Sequence, residues 1–272
     1  MLTILVSLPL AAQDTGSVRD ATPRVSQSAR TAVRGESAYG ESMRELIDRA
    51  LRTNGTSEYD RVLAYLDSAL VRSPNDPVLQ HYRGFALYRK ASVLVATHGT
   101  KGEQGRATKA IFEQADRALE RATHGLDWPE TLALRSAVTG QLIGFGNIVS
   151  AMRLGPRASG ELDEALALGP TNPRVWMLRG VGDIYRPRLF GGGLDKAEAS
   201  LRRALELFAT DAPVPPAPWW GHTETYGWLG QVLAKEGKRD EARAAYERAL
   251  SLQPGNAWVA DFLLPALEKT AR

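Results

Sequence analysis

The chain of 272 residues contains no cysteine. This absence excludes disulfide bonds, thiolate metal sites, a cysteine nucleophile and lipidation of an N-terminal cysteine. Histidine is scarce as well, and no two of the four histidines have the spacing of a zinc-binding pair on one helix. The glycines complete neither a P-loop nor a dinucleotide-binding motif. We therefore expect no cofactor, no metal site and no catalytic residue, so the protein is predicted not to be an enzyme.

Neither sign of charge dominates, because 34 Lys and Arg residues oppose 31 Asp and Glu residues and leave a net charge of +3. No run of basic residues is interleaved with aromatic residues, so we expect no nucleic-acid partner. A long hydrophobic run is also missing. The apolar stretch Leu2–Ala12 has only eleven residues and is too short to cross a bilayer. Contact with a membrane is therefore expected only by association.

The N-terminal apolar stretch does bear on location. It ends in small residues and is followed at once by polar sequence, a pattern that predicts a secretory signal peptide over residues 1–13. No Lys or Arg precedes the stretch, so a start codon assigned too late or a frayed hydrophobic end are the alternatives. Residues 14–40 are rich in Ser, Thr, Ala and Arg and predict a flexible polar lead-in. A cleaved signal would place the protein in the periplasm or outside the cell.

One clear internal repeat unit is present over residues 223–256. Its diagnostic residues are Tyr226, Leu229, Gly230, Leu233, Ala242, Tyr246, Ala249 and Pro254. Gly230 is small enough to let two antiparallel helices approach closely, Tyr246 fills the space between hairpins, and Pro254 ends the second helix. These residue types at these offsets resemble the tetratricopeptide repeat (TPR). By the same reasoning Gly180, in an earlier degenerate copy, is predicted to be a helix contact point.

Projected backward, the same template predicts five helical hairpins. Their first helices begin near residues 43, 77, 129, 173 and 223. Three units carry extra residues near 90–105, 150–160 and 187–193: the first is predicted to lengthen both helices, and the second is predicted to be a loop at 153–157. No stretch alternates with the period of a strand. The sequence therefore predicts an all-α, TPR-type α-solenoid over residues 41–272, a right-handed superhelix of about eleven helices including a C-terminal cap.

Residues 141–267 carry a further resemblance, to a group of exported bacterial TPR proteins without assigned function. The matching segments are 153–157, 165–175, 187–193, the Pro-Trp-Trp-Gly turn at 218–221 and the stretch 262–265. The resemblance implies a periplasmic or secreted scaffold, and it implies no particular ligand.

The positions that face the concave groove in TPR arrays are apolar in this chain. They are Val78, His81, Phe85 and Tyr88 in unit two, Ala133, Ala137 and Gly140 in unit three, and Met177, Val181, Ile184 and the adjoining Tyr185 in unit four. Soluble proteins rarely leave such a surface bare. Either the three inserts fold over it, or it receives an apolar peptide, a helix or an acyl chain.

One arginine directly precedes the small residue of the first helix in four successive units. These are Arg49, Arg83, Arg135 and Arg179. They are predicted to form a ladder, either as structural ion pairs with carboxylates such as Glu45, Glu130 or Asp183, or as a receptor for an acidic peptide or carboxylate.

Two loop segments carry separate expectations. Residues 191–193 are three glycines before a helix, which either bind an anion through backbone N–H groups or form a tight turn with Asp195 as N-cap. Trp219, Trp220 and His222 follow a proline-rich segment that is expected to have a short reach. We therefore predict that they close the junction between units four and five, with an indole against Phe190.

Two functions stay open at this point. One is a non-enzymatic interaction scaffold of the bacterial envelope that binds a protein or peptide segment in the concave groove. The other is a periplasmic carrier, or a transport-associated component, that holds a small apolar or carboxylated ligand between the groove and the inserts. The residues predicted to bind the partner are His81, Phe85, Tyr88, Met177, Val181, Tyr185, Arg83 and Arg179.

Overall fold

The computed structural model describes residues 42–269. The predicted signal peptide and polar lead-in lie outside this range. Within it, eleven α-helices follow one another, and the first ten form five antiparallel pairs. They are α1 (Met43–Thr53), α2 (Thr56–Arg72), α3 (Pro77–His98), α4 (Gly102–Thr123), α5 (Pro129–Ile143), α6 (Ile148–Leu168), α7 (Pro173–Tyr185), α8 (Leu194–Phe208), α9 (His222–Lys235), α10 (Arg239–Leu252) and α11 (Leu264–Lys269). Consecutive pairs stack, so the predicted all-α solenoid of five units with a C-terminal cap is confirmed.

The helix starts are set by local chemistry. Asp76 caps α3, because its side chain accepts hydrogen bonds from the backbone N–H groups of Val78 and Leu79 at 3.0 and 3.1 Å. Asn172 caps α7 in the same way. In both helices a proline follows the cap at the first helical position, where no backbone donor is lost. These caps fix where the second and fourth units begin.

Small residues let paired helices approach closely, as predicted. A Cβ atom built on Gly180 would lie 2.7 Å from Leu201 Cγ, and one built on Gly230 would overlap the ring of Tyr246. Both glycines are therefore contact points between the two helices of a hairpin. In each case the missing side chain on the first helix makes room for a large one on the second.

The inserts take forms that were predicted only in part. The first lengthens α3 and α4 to 22 residues each, joined by a turn at residues 99–101. The loop predicted at 153–157 is wrong, because these residues are helical and lie inside α6. Pro156 has no N–H to donate to the carbonyl of Met152, four residues earlier. Both residues lie on the exposed side of α6, so water can reach that carbonyl. The third is a short 3-10 turn, Arg188–Phe190, followed by the glycines.

The two ends of the array meet. The side-chain amide of Asn256, just after α10, donates to the carbonyl of Leu51 in α1 at 3.4 Å. A π-helical turn, Trp258–Leu263, and α11 then complete the described chain. Because the fifth unit touches the first, the concave side is a confined space.

Candidate functional site: a cleft beside the connector

The concave side is crossed by the connector, which we define as residues 209–221 between α8 and α9. Its start is fixed by Asp211, whose two carboxylate oxygens accept from the guanidinium of buried Arg174 at 3.2 and 2.5 Å. Its middle is fixed by the carbonyl of Pro216, which accepts from the Tyr82 hydroxyl at 2.6 Å. The connector is therefore a built part of the concave face.

The two tryptophans at the end of the connector anchor it to the first two units. The indole N–H of Trp219 donates to Asp48 of α1 at 2.7 Å. Trp220 stacks on Phe85 of α3 with a ring-centroid distance of 4.8 Å. The prediction that an indole packs against Phe190 is wrong, since Phe190 is 69% exposed. The expected short reach was the error, because the connector turns at residues 214–217, where the N–H of Ala217 donates to the carbonyl of Val214 at 2.9 Å, and it brings both tryptophans to the first two units.

The third residue of that prediction behaves as expected. His222 stacks between Phe208 of α8 and Tyr226 of α9, with centroid distances of 4.9 and 5.7 Å. This stack closes the junction between units four and five. Burial lowers the pKa of His222, which favours the neutral ring in this stack.

The predicted groove residues are largely buried. His81, Phe85, Tyr88, Met177 and Val181 are all buried, by the connector and by neighbouring helices. Tyr185 differs, with 62% of its surface exposed. The groove is therefore covered, by the connector over Tyr82 and Phe85 and by neighbouring helices elsewhere, as where Phe112 packs on Tyr88.

A narrow cleft remains beside the connector, with walls from units two to five. Its internal volume is about 10 Å³, room for roughly one water molecule, and the figure rises to about 300 Å³ only when the space open to solvent is included. Its walls are formed by Phe85, Tyr88, Arg89, Leu134, Met177, Leu178, Val181, Trp220, Glu224 and Trp228. Four of the eight predicted binding residues, Phe85, Tyr88, Met177 and Val181, thus come together here. Arg89 and Trp228 were not predicted, because they lie outside the template positions that face the groove. Glu224 does occupy such a position in unit five but was not among the predicted binding residues.

The cleft has few polar groups, and two of them are donors. The Arg89 guanidinium donates from Nε to the Tyr59 hydroxyl at 3.3 Å. Burial opposes its charge, but Tyr59 and Glu224 outweigh this effect and raise the pKa of Arg89, so it is cationic. The second donor is the indole N–H of Trp220, which is buried and has no hydrogen-bond partner among residues 42–269. A buried donor without a partner costs folding free energy, so we take the Trp220 indole N–H as a candidate contact for a ligand. The carboxylate of Glu224 accepts from the backbone N–H of Gly221 at 3.2 Å and caps α9.

His81 lies outside this cleft. Its Nδ1 is 2.9 Å from the Thr131 hydroxyl, and its ring meets Trp128 edge-on at 5.1 Å. Burial lowers its pKa to about 3, so the ring is neutral near pH 7. We assign His81 to the core, which corrects its place among the predicted binding residues.

The arginine ladder is a set of ion pairs. Each arginine has at least one carboxylate partner: Arg49 pairs with Glu58 at 2.8 Å, Arg83 with Asp67 at 2.6 Å, Arg135 with Asp116 and Glu120 at 3.2 and 2.9 Å, and Arg179 with Asp183 at 3.8 Å. Only Asp183 was a predicted partner. Glu45 instead completes the cap of α1, and Glu130 accepts from Asn172. Arg83 and Arg179 therefore do not line the cleft, and their role in binding a partner stays a prediction.

The glycine loop forms a tight turn. The N–H groups of Gly191, Gly192 and Gly193 donate to backbone carbonyls at 3.0, 3.2 and 2.9 Å, so they do not point at an external anion. Gly191 and Gly193 have φ values of 82° and 130°, which explains the need for glycine. The N-cap of α8 is Gly193, so the prediction that Asp195 caps this helix is wrong.

Two other kinds of site are absent from residues 42–269. No cluster of three His, Asp or Glu residues there has the arrangement of a metal site. No helix in this part of the chain is long and apolar enough to span a bilayer.

Comparison with known proteins agrees with the geometry. Residues 223–256 match the tetratricopeptide repeat family. No curated protein sequence gives a significant match. The HusA haemophore from Porphyromonas gingivalis is a structural neighbour at 23% identity and a TM-score of 0.51, over 72% of this chain and 95% of its own. TTC0263, a TPR protein of Thermus thermophilus, matches at 21% identity and a TM-score of 0.51, over 83% of this chain and 99% of its own.

The class defined by these observations is an all-α solenoid of helical hairpins. The chain has a TPR-type fold, with one repeat at residues 223–256 that matches the family and four degenerate helical hairpins before it. TPR-type folds are generally non-catalytic, and they serve as protein-interaction scaffolds or carriers.

Proposed function

We propose that this protein is a non-enzymatic carrier that binds a small apolar ligand with an anionic, hydrogen-bond-accepting end at the cleft, whose walls move apart to admit it. The observation that carries the proposal is the presence of two donors in one mostly apolar cleft, the unpartnered Trp220 indole N–H and the cationic Arg89, with Glu224 as the one carboxylate among its walls. Pockets for small ligands combine mostly apolar walls with a few convergent polar groups. A carboxylate would accept from the indole and neutralise the guanidinium, while the apolar part of the ligand contacts Met177 and Val181.

The covered groove argues against an extended peptide along the whole concave face. Such a peptide needs a continuous open channel, and here the connector packs directly on Tyr82 and Phe85. A protein partner stays a second candidate ligand, but only through one side chain and a chain terminus. If the same walls move apart, the cleft would take one apolar side chain, and a C-terminal carboxylate beside it would suit Arg89.

The location in the bacterial envelope is part of the proposal. It rests on the apolar stretch Leu2–Ala12 and the small residues that end it. N-terminal sequencing of the protein exported by its native host tests it, and we expect a mature chain that begins near Gln13. An intact Met1 in the cytosolic fraction would contradict the envelope location without touching the cleft.

The ligand class is tested by titration of the purified full chain, followed by tryptophan fluorescence. Decanoate and decanol share an apolar chain and differ in charge, so the ratio of their Kd values reports the anionic end. We expect decanoate to bind at least tenfold more tightly. Haemin is a third probe, because it combines an apolar ring with carboxylates and one structural neighbour is a haemophore.

Two variants locate the binding. Trp220→Phe keeps the stack on Phe85 and removes the indole donor, and Arg89→Gln removes the charge. Each should weaken decanoate binding about tenfold and decanol binding much less. The matched controls are Trp176→Phe and Arg203→Gln, whose side chains lie outside the cleft. Equal binding by the cleft variants and the controls would refute the site, and no binding of any probe would refute the ligand class.

A further inference from the structure

The second apolar surface of the molecule lies at the hairpin tips of units three and four. We call it the tip edge and define it as Ile148, Val149, Met152, Tyr185, Leu189 and Phe190. All six side chains are more than half exposed, and Leu189 reaches 88%. Single exposed apolar residues are ordinary, but six on two neighbouring tips form a patch of the kind that marks an interaction site.

The topology places these residues side by side. The helices α5 and α7 are the first helices of consecutive units and pack against each other. They run in the same direction, so their C-terminal ends lie at the same edge of the solenoid. Ile148, Val149 and Met152 begin the helix that follows α5, and Leu189 and Phe190 lie in the turn that follows α7.

The charge on these tips has one sign. Residues 143–157 and 184–193 together contain four arginines and no Asp or Glu. Arg157 pairs with Asp116 of α4 and with Glu161 of its own helix, and Arg186 pairs with Asp183 near the end of α7. Arg153 is exposed, and no ion pair to it occurs within residues 42–269. Arg188 is 81% exposed and has only a 3.8 Å contact with exposed Asp195. Lys235, whose amine lies 5.8 Å from the Tyr185 ring, extends the basic border.

We propose that the tip edge docks on an anionic lipid surface. Protruding apolar side chains bordered by cations match a bilayer interface, where apolar groups enter the acyl boundary and the cations meet lipid phosphates. A second copy of this chain would bring the same positive charge to the contact, which disfavours self-association through this edge. The inference does not depend on the proposed ligand, since no residue of the tip edge lines the cleft.

The test is cosedimentation with lipid vesicles. The full chain carries Ile4→Asp and Val6→Asp in every version, so that the N-terminal apolar stretch does not itself bind lipid. We expect binding to vesicles of phosphatidylcholine and phosphatidylglycerol in equal parts, at least tenfold tighter than to phosphatidylcholine alone. Added salt should weaken it, because exposed charges are screened.

Two pairs of variants assign the binding to the tip edge. Leu189→Ser with Phe190→Ser should weaken binding at least tenfold, whereas Val71→Ser with Phe262→Ser, exposed elsewhere, should leave it unchanged. Arg153→Gln with Arg188→Gln should weaken it about tenfold, whereas Arg61→Gln with Arg203→Gln should have little effect. Exposure at all these positions means that folding is spared, which circular dichroism checks.

Three results would overturn the proposal. They are absence of binding to the anionic vesicles, equal binding to both kinds of vesicle, and binding that the tip-edge variants leave unchanged. If the parent chain instead sediments as a dimer that Leu189→Ser with Phe190→Ser converts to a monomer, the edge is an interface between copies. Decanoate binding measured on the same variants should stay as in the parent, so a failure here is separate from a failure of the cleft.

Discussion

The concave face and the tip edge are both apolar in sequence, yet one is covered and the other is bare. On the concave face, Phe85 and Tyr82 are covered by the connector, which the chain itself supplies. At the tip edge, Leu189 and Phe190 face solvent. The residues that face the groove in a TPR template are therefore not always free to bind a partner. In this protein they are buried in the core, and only the cleft and the tip edge are accessible.

The largest expected loss of stability comes from truncating the aromatic stack beneath the connector. Phe85→Ala should lower the free energy of unfolding by about 3–5 kcal/mol, because it removes a buried aromatic ring and leaves a cavity under Trp220. Phe190→Ala is the matched control and should change it by less than about 0.5 kcal/mol. Urea denaturation measures both. Similar values for the two variants would mean that the connector does not cover Phe85 in solution.

The helix contact at Gly230 gives the next largest effect. Gly230→Leu should destabilise by about 3 kcal/mol or more, since its side chain would overlap the Tyr246 ring and force the fifth hairpin apart. Gly182→Ala is the control, because a Cβ atom there meets nothing within 4 Å. It should be neutral or stabilising by up to about 1 kcal/mol, given the better helix propensity of alanine. Thermal unfolding of both variants decides whether the repeat register is correct.

Buried His81 should make the covered face sensitive to acid. Its folded pKa of about 3 lies below the ordinary value of 6.5, so between these pH values the unfolded chain binds a proton that the folded chain does not. Stability should therefore fall as the pH falls from 6.5 toward 3, by up to about 1.4 kcal/mol per pH unit from this residue. His81→Gln should flatten that slope, whereas His98→Gln, on an exposed helix end, should keep it. Denaturant midpoints measured across this pH range give the slopes, and equal slopes would contradict the assignment of His81 to the core.

Much of the fold could be predicted from the sequence, because hairpin packing depends on local spacing. Gly180 and Gly230 occupy the same template position, and each faces a large residue at a second template position of its own unit. Asn172 directly precedes Pro173 at a helix start. Such features can be predicted from the sequence of one unit. The course of the connector is not local. Trp219 donates to Asp48 and Trp220 stacks on Phe85, contacts between residues far apart in sequence that no repeat template contains. Pro156 was misread because proline usually ends a helix, and its exposure inside α6 removes the usual penalty.

Some residues of the candidate site could be predicted from the repeat template, and others could not. Phe85, Tyr88, Met177 and Val181 were found because the template phase places them on the concave side. Arg89 and Trp228 occupy no groove-facing template position, and only the folded chain shows that they and Glu224 lie beside the connector. The pair of tryptophans after a proline-rich segment was the signal that could have revealed the covering of the groove.

The smallest expected effect concerns the two arginines that the sequence placed in the groove. Arg83→Gln breaks a surface ion pair with exposed Asp67, and such pairs contribute about 0–1 kcal/mol. Arg179→Gln breaks a longer contact of 3.8 Å with Asp183, whose carboxylate is buried but keeps Arg186 at 3.5 Å. Both variants should therefore unfold within about 1 kcal/mol of the parent. Since neither side chain lines the cleft, decanoate should bind both variants as it binds the parent, in contrast to Arg89→Gln. Isothermal titration calorimetry of the three variants makes the comparison directly. If Arg179→Gln binds decanoate more weakly at unchanged stability, Arg179 contacts the ligand. The binding site would then include the arginine ladder and would not be the cleft.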